Sequence, residues 1–209
     1  MLKSMLTFAL MLFPLSFAIA GEDEGLYPDA PPADAGFVRV INHGDDMRND
    51  MTLSGISLGE VAQKSVTDYA VLKQGDVSLE IGDVSMAHAI SAGEYYTVAS
   101  LNDDIIFIED HKIDDPTKAV IALYNLSDIA NISLISTTHN ADIFKDVASG
   151  TKDARSINAV SLGIAIKNGD QIVSEMTGVK LERQIATSLF VTGNNGTYDV
   201  IVKKSENLK

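Results

Sequence analysis

The stretch Phe37-Val38-Arg39-Val40-Ile41-Asn42-His43-Gly44-Asp45 decides the fold, because the chain writes it again as Val120-Ile121-Ala122-Leu123-Tyr124-Asn125-Leu126-Ser127-Asp128. Each copy begins with β-branched or aromatic residues and stops at Asn-x-(Gly/Ser)-Asp. Period-two alternation sets Val38 and Val40 on one face of a strand, as it does Ile121 and Leu123. Arg39 and Ile41, like Ala122 and Tyr124, fall on the other face. Asn and Asp accept left-handed backbone and bond their own neighbours, so each copy ends in a turn for a physical reason. Each copy reads as the first strand of a small β-domain, and the chain as two such domains in tandem.

Outward from these strands, short apolar or alternating runs recur at 66–72, 77–81, 84–90, 95–100 and 105–109. The second half repeats the plan at 131–137, 159–167, 170–174, 177–181, 186–192 and 197–203, with Asn168-Gly169 as its strongest hairpin signal. Residues 149–155 read as a polar loop, and no window carries a helical period. Strands of this length, with turn signals between them, belong to sandwiches and barrels. The expectation is an all-β protein of two tandem antiparallel β-sandwich domains, 37–110 and 119–209, joined by a short polar linker at 111–118.

The N-terminus reads differently. Lys3 precedes an apolar run from Leu6 to Ile19, and Ala18-Ile19-Ala20 is an A-x-A cleavage site, so residues 1–20 read as a signal peptide cleaved after Ala20. The run is short for a membrane span, and no cysteine marks a lipoprotein. Residues 21–36 are acidic and then proline-rich, which gives an extended arm carrying one apolar pair, Leu26 and Tyr27. That pair either pins the arm to a domain or meets a partner.

Composition narrows the chemistry. Formal net charge is −13, which opposes nucleic acid and anionic surfaces. Cysteine is absent, removing thiol catalysis and thiolate metal sites and pointing to a bacterial periplasm. His43, His88, His111 and His139 are not paired at metal-ligand spacing, and the acidic run from Asp103 to Asp115 lacks a calcium-loop pattern, so neither metal nor cofactor is expected. Gly75-Asp76-Val77-Ser78 and Gly82-Asp83-Val84-Ser85 differ from an esterase Gly-Asp-Ser elbow by the intervening Val, and read as successive hairpin turns. His43 beside Asp45-Asp46 reads as a solvated turn. An acetyltransferase in its own right therefore lacks its Ser/His/Asp set.

Gly25-Leu26-Tyr27-Pro28, Phe37-Val38-Arg39-Val40, Tyr95-Tyr96-Thr97, Tyr124-Asn125-Leu126-Ser127, Ser156-Ile157-Asn158 and Leu189-Phe190-Val191-Thr192-Gly193 together resemble the AlgF family of bacterial alginate biosynthesis. The resemblance implies an exported protein required for O-acetylation of an exopolysaccharide, alginate or a related polymer such as cellulose. It implies partners among periplasmic SGNH-like O-acetyltransferase components and a membrane-bound O-acyltransferase, and it carries over no catalytic residue. The expected function is a non-catalytic periplasmic adaptor, with Leu26, Tyr27, Tyr95 and Tyr124 as candidate partner-binding residues. The alternative is a tandem carbohydrate-binding module gripping the polysaccharide through those tyrosines, for which an aromatic content of 6% without Trp is lean. Mass spectrometry of the exported protein should find Gly21 at the N-terminus; a membrane-bound form that keeps residues 1–20 would refute the cleavage reading.

Overall fold

A computed structural model describes residues 30–101 and 104–207 of the chain, so residues 1–20 and the pair Leu26 and Tyr27 lie outside the described residues. Within them every regular element is a strand. The first unit runs β1 (Ala35–Asn42), β2 (Met51–Leu53), β3 (Ile56–Ser57), β4 (Ser65–Val66), β5 (Ala70–Lys73), β6 (Gly75–Ile81), β7 (Val84–Ile90), β8 (Tyr95–Leu101) and β9 (Asp104–Glu109). The second runs β10 (Lys118–Ser127), β11 (Asn131–Ser136), β12 (Ala141–Ala148), β13 (Thr151–Asn158), β14 (Ser161–Asn168), β15 (Gln171–Lys180), β16 (Ala186–Asn194) and β17 (Thr197–Ser205).

Each unit is a sandwich of two sheets. In the first, β4 and β5 flank β1, which is followed by β8 and β9, opposite the sheet β3-β2-β6-β7. In the second, β13-β10-β16-β17 lies opposite β12-β11-β14-β15. The plans correspond, β1 with β10, β6 with β14, β8 with β16 and β9 with β17, and β4 and β5 together take the place of β13. The all-β class and two-sandwich architecture are therefore those read from the sequence. One pairing departs from the antiparallel expectation. β1 runs parallel to β8, Phe37 opposite Tyr95, and β10 runs parallel to β16, Val120 opposite Ala186. The chain travels through the other sheet between these strands, so no hairpin dictates their direction.

Val38 and Val40 face the first core with Met51, Leu53, Val77 and Leu79. Ile121 and Leu123 face the second with Ile132, Leu134, Ile164 and Leu189. These branched side chains suit a pleated surface covered by an opposing sheet, and burying each contributes about 1.5–3 kcal/mol. The opposite faces of β1 and β10 are buried as well, so both strands read as nearly continuous apolar runs.

The repeated Asn closes each unit in the same way. Asn42 Nδ2 donates to the carbonyls of Asp46 (2.9 Å) and Val61 (3.0 Å), while its Oδ1 accepts from the Gly44 amide at 3.1 Å. Asn125 Nδ2 donates to Ile129 (2.8 Å) and to Val147 on β12 (3.0 Å), and its Oδ1 accepts from Ser127 Oγ at 2.7 Å. What reads in sequence as a turn signal is thus also a staple from one sheet to the chain of the other.

Three local readings need correction. Residues 149–155 are mostly strand, because β13 pairs with β10 along its whole length; its charged residues suit an edge that faces water. The hairpin after β14 turns at Gly169-Asp170, with Asn168 paired to Gln171, because Gly169 adopts φ 57° at the first turn position. Gly75 to Ser78 is strand and not a turn, whereas Gly82-Asp83 is a two-residue turn, Ile81 opposite Val84.

The Asn staple generates a test. Asn125→Asp keeps the shape but replaces a donor with a carboxylate facing two carbonyls, and should lower unfolding free energy by about 2–3 kcal/mol in urea denaturation. A cost no larger than that of an exposed substitution would show that the side chain does not hold the sheets together.

Candidate functional site

The side chains with the most chemistry lie between the sandwiches. Ile41, Ala99 and Ile108 of the first unit pack on Ala122, Tyr124, Leu126 and Phe190 of the second, forming a third apolar core. The inner sheets thus meet face to face, and the molecule is a four-layer stack. At about 10 Å per layer, the outer sheets stand about 30 Å apart.

Within this seam sits a buried ion pair. Arg39 is 1% exposed and Asp110 6%, and their closest charged atoms are 3.4 Å apart. Arg39 Nε donates to Thr97 Oγ1 (2.8 Å), Nη1 to Ser205 Oγ (3.1 Å), and Nη2 to Ser188 Oγ (3.1 Å) and Tyr124 Oη (3.2 Å). Asp110 accepts from Tyr69 Oη (2.6 Å), Tyr124 Oη (2.6 Å) and Thr97 Oγ1 (2.7 Å). Both charges come from the first unit, while Tyr124, Ser188 and Ser205 reach in from the second. Every strong donor and acceptor has a partner, as a buried pair requires.

The electrostatics follow from that closure. Burial works against a charged guanidinium, but Asp110 and the surrounding phenols outweigh it and hold Arg39 above its ordinary value. Tyr124 and Tyr69 are pushed well above the usual phenol range, first by burial and then by the Asp110 charge. Both stay protonated donors at any physiological pH. The Arg39 guanidinium carbon also lies 4.8 Å from the Tyr69 ring centre and 5.2 Å from that of Phe190.

These positions decide the candidate residues. Tyr124 is buried and stacked on Phe190 (4.3 Å), so it joins the two units and offers no surface to a separate protein. Tyr95 is buried between Phe37 (4.4 Å) and Tyr69 (5.0 Å) and lines a groove of about 410 Å³ with Pro31, Pro32 and Lys112. Asp110, which in sequence is one of the acidic run from Asp103 to Asp115, is instead buried in the seam. Sequence reasoning missed Arg39; the available signal was a cation in the middle of an apolar strand, out of phase with Val38 and Val40.

No hydrolytic constellation forms among the described residues. His43 Nε2 lies 2.6 Å from the Ser100 carbonyl oxygen, and His88 stacks on Phe107 at 4.8 Å. Ser156 Oγ and His111 Nε2 stand 3.5 Å apart on the exposed surface, with no carboxylate bonded to His111 among the described residues. No cluster of three metal-ligating side chains is found among them either. Charge is unevenly shared: residues 37–110 carry four Lys or Arg against thirteen Asp or Glu, whereas residues 119–209 carry nine of each.

Fold and site define a two-sandwich β-protein whose principal polar cluster locks its halves together. The family model described as "Alginate O-acetyl transferase AlgF" matches residues 9–188. Alginate biosynthesis protein AlgF of Pseudomonas fluorescens is 32% identical over 86% of this chain and 82% of its own length. The protein of the same name from Pseudomonas aeruginosa is 28% identical over 90% of this chain and 87% of its own. A solved structure of the C-terminal domain of AlgF from P. aeruginosa shares 30% identity, covers 43% of this chain and 99% of its own, and gives a TM-score of 0.39. The chain belongs to the AlgF family.

The seam yields its own prediction. Arg39→Ala leaves Asp110 buried without its counter-charge and should cost about 3–5 kcal/mol of stability in denaturant unfolding of the full chain. The double replacement Arg39→Met with Asp110→Leu should recover much of that loss. If Arg39→Ala unfolds like wild type, the ion pair is not what holds the seam.

Proposed function

We propose that this protein is a non-catalytic periplasmic adaptor required for O-acetylation of an exopolysaccharide, alginate or a related polymer. It links SGNH-like O-acetyltransferase components with a membrane-bound O-acyltransferase. Family membership supplies the process. The observation that carries the adaptor role is the sealed seam, which fixes two similar sandwiches as opposite ends of one body.

A bridge of this kind works by geometry. Two separate proteins meet at a rate set by their free concentrations, whereas two proteins held on one scaffold share a high effective concentration. A rigid scaffold also limits the arrangements that its ligands sample, lowering the ordering cost of a productive contact. The Arg39–Asp110 cluster and the apolar core around Tyr124 supply rigidity at the centre. Lys64–Asp199 (2.6 Å) and Lys203–Asp68 (2.7 Å) add exposed contacts across the same boundary. Water and salt screen such exposed pairs, so they orient the units more than they hold them.

Acetyl transfer itself asks for an exposed nucleophile beside a base and an orienting acid. Ser78 lies inside β6 and Ser85 inside β7, each opposite a β-strand residue and not on a sharp elbow. The hydroxyls that meet the buried ion pair, Thr97, Tyr124 and Ser188 among them, are enclosed in the seam. Their role is to satisfy Arg39 and Asp110.

Deleting the protein should leave polymer synthesis intact and remove O-acetyl groups from the product, measured by NMR of the purified polysaccharide. Replacing Ser78, Ser85 and His43 together by Ala should leave acetylation unchanged. Loss of acetylation in a folded triple variant would favour an enzyme. Tight binding of the purified protein to free polyuronate at low salt, where repulsion is least screened, would favour the carbohydrate-binding reading instead.

A further inference from the structure

The edge strand β7 differs from the other long edges among the described residues. β9, β12, β13, β15 and β17 each carry Asp, Glu, Lys or Arg, and β12 and β15 are also broken by bulges. These are the devices by which sheet edges are kept from pairing with other chains. β7 reads Val84-Ser85-Met86-Ala87-His88-Ala89-Ile90, with no Asp, Glu, Lys, Arg or Pro, and pairs in continuous register with β6. On its other side it pairs with no described strand. It is an unprotected edge seven residues long.

Its two faces are chemically distinct. Val84, Met86 and His88 stand opposite Ile81, Leu79 and Val77, and so point to the side on which those three are buried in the core. Val84 nevertheless remains 41% exposed and Met86 37%. Beside them β7 packs against β9, where the His88 ring stacks on Phe107 at 4.8 Å. The other face presents Ser85, Ala87 and Ala89, with Glu80 opposite Ser85 and Asp76 opposite Ala89 on the neighbouring strand. These side chains are too short to screen the two carboxylates from an added strand.

We infer that β7 is a docking edge to which an extended segment of a partner protein adds as a further strand, alternating apolar residues with Lys or Arg. Backbone pairing supplies the affinity of such strand addition, and the side-chain alternation supplies its selectivity. Apolar residues of the segment cover the exposed Val84 and Met86. Its cations cross the small residues of the outer face to Asp76 and Glu80. A second copy of this chain fits poorly, because pairing β7 with itself sets one acidic first unit against another. The inference rests on the adaptor reading and deepens it by naming the contact surface and the chemistry of its ligand.

The test uses the full-length mature protein and each purified O-acetylation protein of the same bacterium, with binding followed by interferometry. Met86→Lys should weaken binding of one of them by about tenfold or more, since a lysine is the charge with which natural edges resist pairing. Asp76→Asn with Glu80→Gln, both on the exposed face, should also weaken it and should flatten its dependence on salt. Hydrogen exchange of the complex should show new protection at residues 84–90. Unchanged melting separates these effects from misfolding. Binding that survives Met86→Lys, or protection that appears elsewhere, overturns the docking edge and leaves the adaptor intact. Concentration-dependent self-association abolished by Met86→Lys makes a second copy the occupant and also overturns it. If wild type binds none of these proteins, the adaptor reading falls and the docking edge falls with it.

Discussion

A guanidinium buried between two β-sandwiches is the constraint around which this molecule is arranged. Arg39 cannot be left in an apolar seam without its counter-charge, and Asp110 cannot be left without donors. Two charges and a ring of hydroxyls therefore have to arrive together from five strands and two loops. The sheets that carry them are held in register by that need as well as by the apolar contacts of Ile41, Tyr124 and Phe190. Mutual attraction of the charges is a weak source of stability in itself, but the geometry it demands is narrow, which makes it a good source of alignment.

The seam also shows how duplicated units become unequal. Equivalent sheets face one another, as equivalent patches do in a twofold dimer. Yet Arg39 has Ala122 as its counterpart in the repeat, and Ile41 has Tyr124. Thr97, beside Arg39, corresponds to Ser188, beside Ala122. One copy supplies the long cation, and the other supplies the space and a phenol to fill it. Both small hydroxyls bond the same guanidinium. A symmetrical pair of arginines would have placed two like charges in one buried site.

Much of the fold was legible in the sequence because its signal is local. Alternating Val and Ile identify β1 and β10, and Asn-x-(Gly/Ser)-Asp identifies their ends. Alternation also gives each strand a second face, but it does not say what covers that face. Tyr124 on that second face therefore read as a partner-binding residue, though the partner is the molecule's own first unit. Asp110 read as one of an acidic surface run because acidic residues outside an apolar pattern ordinarily meet water. β13 was missed for the same reason, since a charged edge strand and a polar loop have the same composition. The direction of β8 and β16 was not legible, because only the path between sheets determines it.

The span of the Arg39 contacts has a consequence for how the chain matures. Its bond to Thr97 links residues 58 positions apart, and its bond to Ser205 links residues 166 apart. Long loops must close before such contacts can form, which places them late and makes them slow. A chain emerging from its N-terminus brings out β1 first and must keep one face of it uncovered until β10 and β16 arrive, with Arg39 completed only by Ser205 on β17. Completion of β17 thus supplies the last partner of a guanidinium already enclosed on its other sides. Chains that stop short of Ser205 retain an incompletely satisfied cation, so the seam distinguishes a finished molecule from an unfinished one.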